Sequence, residues 1–171
     1  MDIDLKGGKL RFANQFKPPL MQPQKNVTNK ILIHASTADV WDALVNPVKT
    51  KVYMFGCETV SDWKVGSELI WRGNHEGKDV VFVKGKILAM EPTTLLTYTV
   101  FDPFASYPDI PANHLNVTYK LEQQGEDTIL TVRQDGFESA AEGEKRYQEV
   151  SNKGEGWNPI LVQIKALVES K

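Results

Sequence analysis

The sequence predicts an α+β domain in which an antiparallel sheet wraps around one long C-terminal helix. Three observations predict it. A strand-like segment, Val27 to Ala35, leads directly into a broken helical pair. Residues 58–134 then read as strands joined by turns. The chain closes on Trp157, Ile160, Leu161, Ile164 and Val168, an apolar stripe at helical spacing. A sheet whose one long helix comes last can grip that helix and leave a cavity between them.

The elements follow in order. Val27, Asn29, Ile31 and Ile33 alternate with Thr28, Lys30, Leu32 and His34, the period of a strand. Ser36 offers a helix N-cap, and Asp39 sits three residues later, near the positive end of the helix dipole. Val40, Trp41 and Leu44 share one helical face. Pro47 ends that helix and starts a second short one, which carries Val52, Tyr53 and Phe55 before Gly56. Leu69, Ile70 and Trp71 form a strand, and Arg72 to Lys78, with two glycines, reads as a hairpin loop. Val80 to Val83 continues to Ile87 and Leu88, with Gly85 a bulge or bend, and Glu91-Pro92 closes the strand.

Leu96, Tyr98 and Val100 alternate with Thr97, Thr99 and Phe101. Three prolines make Asp102 to Asn113 a loop. Leu115, Val117, Tyr119 and Leu121 then share one face, and Leu130, Val132 and Gln134 answer across a turn at Gln124 to Asp127. Tight turns between consecutive strands make an antiparallel meander. Glu138 to Lys153 is charged and weakly helical. Pro159 is tolerated only near a helix start, so the last helix spans about residues 156–170.

Bulk properties bound the function. The 171 residues suit one domain plus an extension, here residues 1–25 before a domain at 26–171. Hydrophobic residues make up 41%, enough for a core, yet the longest apolar runs are too short to span a bilayer. No apolar signal segment opens the chain, and the lone Cys57 suits a reducing compartment, so a cytoplasmic location is expected. The formal charge of −2 makes no case for nucleic acid. Residues 1–30 carry +4, which leaves −6 for the rest. A basic arm beside an acidic body can dock on that body, with Phe12 and Phe16 as anchors.

Five segments together resemble a known family: ILIHASTADVWDALVNP, SDWKVGSELIWRG, KGKILAMEPTTLLTYTVF, VTYKLEQQGEDTILTVRQDGF and GWNPILVQIKALVE. Their order and spacing are similar to the SRPBCC superfamily of START and birch-pollen-allergen type. Within it they resemble the domain related to the activator of heat-shock protein 90 ATPase, over about residues 27–170. The resemblance implies a helix-grip fold: six to seven curved antiparallel strands, a long final helix, and two short helices after the first strand. It implies a cavity between sheet and helix. Family members mostly bind apolar or amphipathic small molecules, and some catalyse cyclisation or dehydration. The heat-shock activator uses a further N-terminal domain for its chaperone work. No such domain is visible here, so a chaperone partner is not expected.

The candidate site is the aromatic and amide set Trp41, Phe55, Trp71, Tyr98, Tyr119, Gln134 and Trp157. Cavities for small molecules are lined by such rings with a few polar anchors. Phe82 and Phe101 belong to the same aromatic population. Gln134 lies on an inward phase, and leaving its amide unpaired would cost about 1–3 kcal/mol. A ligand, Tyr119 or a backbone carbonyl could each satisfy it. No inward Lys or Arg is evident, so the expected ligand is mostly apolar.

No catalytic set, metal site or cofactor motif is visible. His34, His75 and His114 are scattered without ligand spacing. His114, taken to lie near the pocket mouth, is the best proton-transfer candidate, and Cys57 reads as a small apolar filler. The first reading is therefore a small-molecule binding protein. A cyclase, dehydratase or hydrolase using the same cavity is the second, and a chaperone-associated interaction module the third. A homodimer stays open.

Overall fold

The computed structural model describes residues 23–170. The docking expected of Phe12 and Phe16 lies outside the described residues, as does most of the 1–25 extension.

Seven antiparallel strands form one curved sheet: β1 (Val27–Ile33), β2 (Glu58–Ser61), β3 (Glu68–His75), β4 (Lys78–Glu91), β5 (Leu95–Val100), β6 (Leu115–Gln124) and β7 (Asp127–Asp135). Their order is β1-β7-β6-β5-β4-β3-β2. Strands β2 to β7 are a meander, and β1 joins its far edge against β7. Two short helices, α1 (Thr37–Val45) and α2 (Pro47–Tyr53), follow β1. Helix α3 (Gly143–Ser151) and the last helix, α4 (Asn158–Glu169), complete the chain.

Local chemistry sets each boundary. The Ser36 hydroxyl accepts from Asp39 N–H at 3.2 Å and donates to its carboxylate, which caps α1. Asn46 separates the two helices: its side chain accepts from Val48 N–H, and Pro47 occupies the first turn of α2. The hairpin between β3 and β4 is tighter than its composition suggests. β3 runs on to His75, and the turn is only Glu76-Gly77, both left-handed at φ 52° and 80°. Two left-handed residues twist with the flanking strands, so the ladder continues beyond the core into polar sequence.

The two apolar runs at 80–88 are one strand, β4. At its middle, a Cβ on Gly85 would sit 1.6 Å from the Thr99 carbonyl oxygen. Only glycine allows β5 to approach so closely.

The core fills the concave face. Leu161 and Ile164 of α4 are fully buried, as are Leu130 and Val132 of β7, with Ile33, Val40 and Ala43 above them. The α4 entry is pinned to β1. Trp157 N–H donates to Asn29 Oδ1 at 2.9 Å, and Asn29 Nδ2 donates to the Glu155 carbonyl at 3.2 Å. Gly156, at φ 53°, makes this approach feasible, since a Cβ there would lie 2.4 Å from Asn29 Oδ1. The helix starts at Asn158, slightly later than the sequence predicts, because residues 154–157 form this junction instead. No helix among the described residues is long and apolar enough to cross a membrane.

Candidate functional site

Filling of the concave face stops short of the β3–β5 side, and a cavity of about 640 Å³ remains there. Its floor is set by inward phases of the strands: Trp71 from β3, Val83 from β4, Tyr98 and Val100 from β5, Val117 from β6 and Gln134 from β7. Three valines on those phases leave room that larger side chains would fill. The remaining wall comes from Met54 to Cys57 after α2, from Trp157 before α4, and from Gly73, Asn74 and Phe82. No charged residue stands in this wall.

Ile87, Tyr98, Val117 and Gln134 are direct cross-strand partners in succession, so they form one row across the sheet. At the end of that row the Trp157 indole N–H donates to Gln134 Oε1 at 3.1 Å. The indole can only donate, so this bond fixes which end of the amide is which. A smaller cavity of about 360 Å³ shares Met54, Phe55, Gln134 and Trp157 with the first. The Gln134–Trp157 pair thus stands between the two spaces.

Five of the seven predicted residues meet at the main cavity: Phe55, Trp71, Tyr98, Gln134 and Trp157. Phe55 does so from the rim. It is 87% exposed and left-handed at φ 53°, so the backbone turn after α2 holds its ring outward. Trp41 and Tyr119 do not reach the wall. Trp41 packs in the core from α1. Tyr119 faces inward but is covered, with Trp157 edge-on at 6.2 Å and Tyr98 at 6.3 Å between ring centroids.

The polar groups near the cavity are neutral. Burial pushes the Tyr98 phenol well above its ordinary range, and it raises those of Tyr53 and Tyr119 too. Tyr53 satisfies its hydroxyl on the Ala43 carbonyl at 2.7 Å. The Tyr119 hydroxyl is buried with no hydrogen-bond partner. The Tyr98 and Tyr119 hydroxyls couple electrostatically without a hydrogen bond of normal length. Burial also raises the Cys57 thiol, which therefore stays protonated at neutral pH.

His114 lies on the opposite face of the sheet from the cavity, contrary to its expected place near the mouth. It precedes Leu115, so the pleat that turns Leu115 inward turns His114 outward. There His114 Nε2 meets Asp109 Oδ1 at 2.6 Å, Nδ1 meets Thr99 Oγ1 at 3.3 Å, and the ring stacks on Phe101. Phe101 is therefore an outer-face residue, not a cavity ring. Lys84 also pairs with Asp109, and these two partners hold the Asp109 carboxyl below its usual range. A more polar groove of about 640 Å³ runs past this network. His34 and His75 are far along the chain at other strand ends. Among the described residues no three His, Cys, Asp or Glu side chains are grouped to hold a metal ion.

Sequence reasoning missed Val83, Val100 and Val117 as wall residues. Their signal was present: small side chains on the same inward phases as the predicted rings.

The profile of the Activator of Hsp90 ATPase homolog 1-like protein family matches residues 34–169. The solution structure of ChR145 from Cytophaga hutchinsonii is 34% identical; the match covers 87% of this chain and 97% of that one, with a TM-score of 0.67. The crystal structure of CalU16 from Micromonospora echinospora is 20% identical over 85% of this chain and 76% of that one, at a TM-score of 0.60. A Plasmodium falciparum Hsp90 activator is similar in fold, at 11% identity over 66% and 73% of the two chains and a TM-score of 0.52. No curated protein matches the sequence significantly. The chain belongs to the Activator of Hsp90 ATPase homolog 1-like family, within the SRPBCC superfamily.

Proposed function

We propose that this family member binds a mostly apolar small molecule in the cavity between sheet and last helix. The observation that carries the reading is a wall without charge around about 640 Å³, a volume within the range of small-molecule sites. Burial of apolar ligand surface supplies the affinity, at about 25 cal/mol per Å². A carboxylate or phosphate would find no cation in the wall to replace its hydration. The same wall offers a reaction little to work with: the Tyr98 phenol and Cys57 thiol are both held protonated by burial, so neither serves as a base or nucleophile near neutral pH.

Titration with N-phenyl-1-naphthylamine, a neutral apolar fluorophore, tests this. Saturable one-to-one enhancement is expected, with a matching change in tryptophan emission from Trp71 and Trp157. Enhancement that only rises linearly would reduce the cavity to a void of the fold.

A further inference from the structure

We propose that the cavity selects its ligand by a hydrogen-bond acceptor: a neutral, ring-sized apolar molecule carrying a carbonyl oxygen that docks on the Gln134 amide. This rests on the cavity being a binding site, and it names what that site chooses.

Gln134 is 6% exposed and stands in the walls of both adjoining cavities. Its Oε1 is taken by the Trp157 indole at 3.1 Å. The other end of the amide, Nε2, has no hydrogen-bond partner among the described residues. Because the indole cannot accept, the amide cannot flip without breaking this bond and setting two donors against each other. Gln134 is therefore held with both Nε2 hydrogens unused by the described residues, facing the cavity. A ligand that displaces water from this donor leaves it unpaired unless the ligand itself brings an acceptor, so the amide favours ligands that carry one.

The rest of the row defines the shape of the partner. Val117 separates Gln134 from Tyr98, and with strands about 4.8 Å apart their Cα atoms lie about 10 Å apart. A flat ring system can lie over Val117 with its carbonyl towards Gln134. The Tyr98 hydroxyl, which lacks a normal hydrogen bond, borders the far side. At the rim, Asn74 uses its Oδ1 to accept from Gly77 N–H, so its free amide end is also a donor. The wall thus offers donors to the ligand and no charge. A carboxylate would accept from Gln134 but would lose its hydration without a counter-charge. A hydrocarbon would leave the amide unpaired.

The test uses the full chain and a matched pair, 9-fluorenone and fluorene, in competition with N-phenyl-1-naphthylamine. The carbonyl makes fluorenone the better solvated of the two in water. A preference for fluorenone therefore runs against hydrophobicity and reports the hydrogen bond. About a tenfold preference is expected, the worth of one good hydrogen bond once the bound ligand has displaced water. Gln134→Leu should bring the ratio of fluorenone to fluorene competition down to about one or below. The Trp157→Phe variant, which frees the amide to flip, should reduce it only in part. Equal competition by both compounds in the unchanged protein would overturn the proposal and leave the binding reading intact. Saturable fluorophore binding that neither compound displaces would overturn it as well. Absence of any fluorophore binding would instead remove the binding reading on which it rests.

Discussion

The concave face of the sheet has two ends built from the same strands, and they are finished differently. At one end Leu121 pairs with Leu130, Ile33 pairs with Thr128, and α4 seals them with Ile164 and Val168. Every one of these side chains is buried, and Thr128 donates its hydroxyl to the Ala35 carbonyl at 2.8 Å. At the other end Val117 pairs with Gln134, and the space above them towards β3 is empty of side chains. Between them Tyr119, paired with Val132, forms the boundary. The alternation along β6 and β7 never changes across this boundary. What changes is what lies above: a packed helix on one side, and on the other Trp157 at the helix entry and the turn Met54 to Cys57 around open space. Sheet pattern therefore determines which residues face inward, and helix placement determines which of those see a cavity.

The largest effect should come from spoiling the filled end. Leu161 is fully buried against this face. Leu161→Asp buries a charge with no partner, and a loss above about 4 kcal/mol should leave the chain unfolded by circular dichroism. Leu161→Ala should cost about 3 kcal/mol in urea unfolding. A folded Leu161→Asp protein would show that α4 does not hold this end shut.

Next in size is the loss of a satisfied hydroxyl. Tyr53→Phe removes the bond to the Ala43 carbonyl and leaves that buried acceptor short, so about 1–2 kcal/mol should go from the unfolding free energy. A result near zero would mean that water reaches the Ala43 carbonyl and that the core around α2 is less sealed than its packing indicates.

The open end should respond in the opposite sense, with function moving more than stability. Val117→Phe projects a ring into the cavity, where there is space for it. The cost to stability should stay below about 1 kcal/mol, less than the penalty typical of overpacking a filled core. Fluorophore binding should be abolished. If instead stability falls by as much as it does for Leu161→Ala, the two ends are packed alike and the contrast between them fails.

The two ends were not equally legible in the sequence. Inward residues from 115 to 134 could be read directly, because alternation on a two-sided sheet is a local property. The outward place of His114 followed from the same parity and could have been read from Leu115 beside it. The rim position of Phe55 could not, since it depends on a left-handed backbone after α2, in a turn closed by Gly56 N–H on the Lys51 carbonyl and Cys57 N–H on the Met54 carbonyl. The partner of Gln134 was also beyond reach. Tyr119 and a backbone carbonyl were reasonable choices by chain position, yet the indole of Trp157, 23 residues away, makes the bond. That contact exists because Asn29 and Gly156 fix where α4 enters. Long-range placement of this kind leaves no periodic trace.

The smallest expected effect concerns the boundary itself. Tyr119 carries a buried hydroxyl without a hydrogen bond, between a packed interior and the cavity. Its ring is held by Tyr98 and Trp157, contacts that a phenylalanine would keep. In Tyr119→Phe the desolvated hydroxyl is removed and the packing stays, so stability should be unchanged or should rise by up to about 1 kcal/mol. The sign is opposite to that of Tyr53→Phe, although both are buried tyrosines in one core. A pair of urea unfolding curves measures the difference. If Tyr119→Phe loses as much as Tyr53→Phe, the hydroxyl does have a partner in solution. The Tyr98 hydroxyl, which interacts with it, is placed to supply one and would then belong to the interior rather than to the ligand.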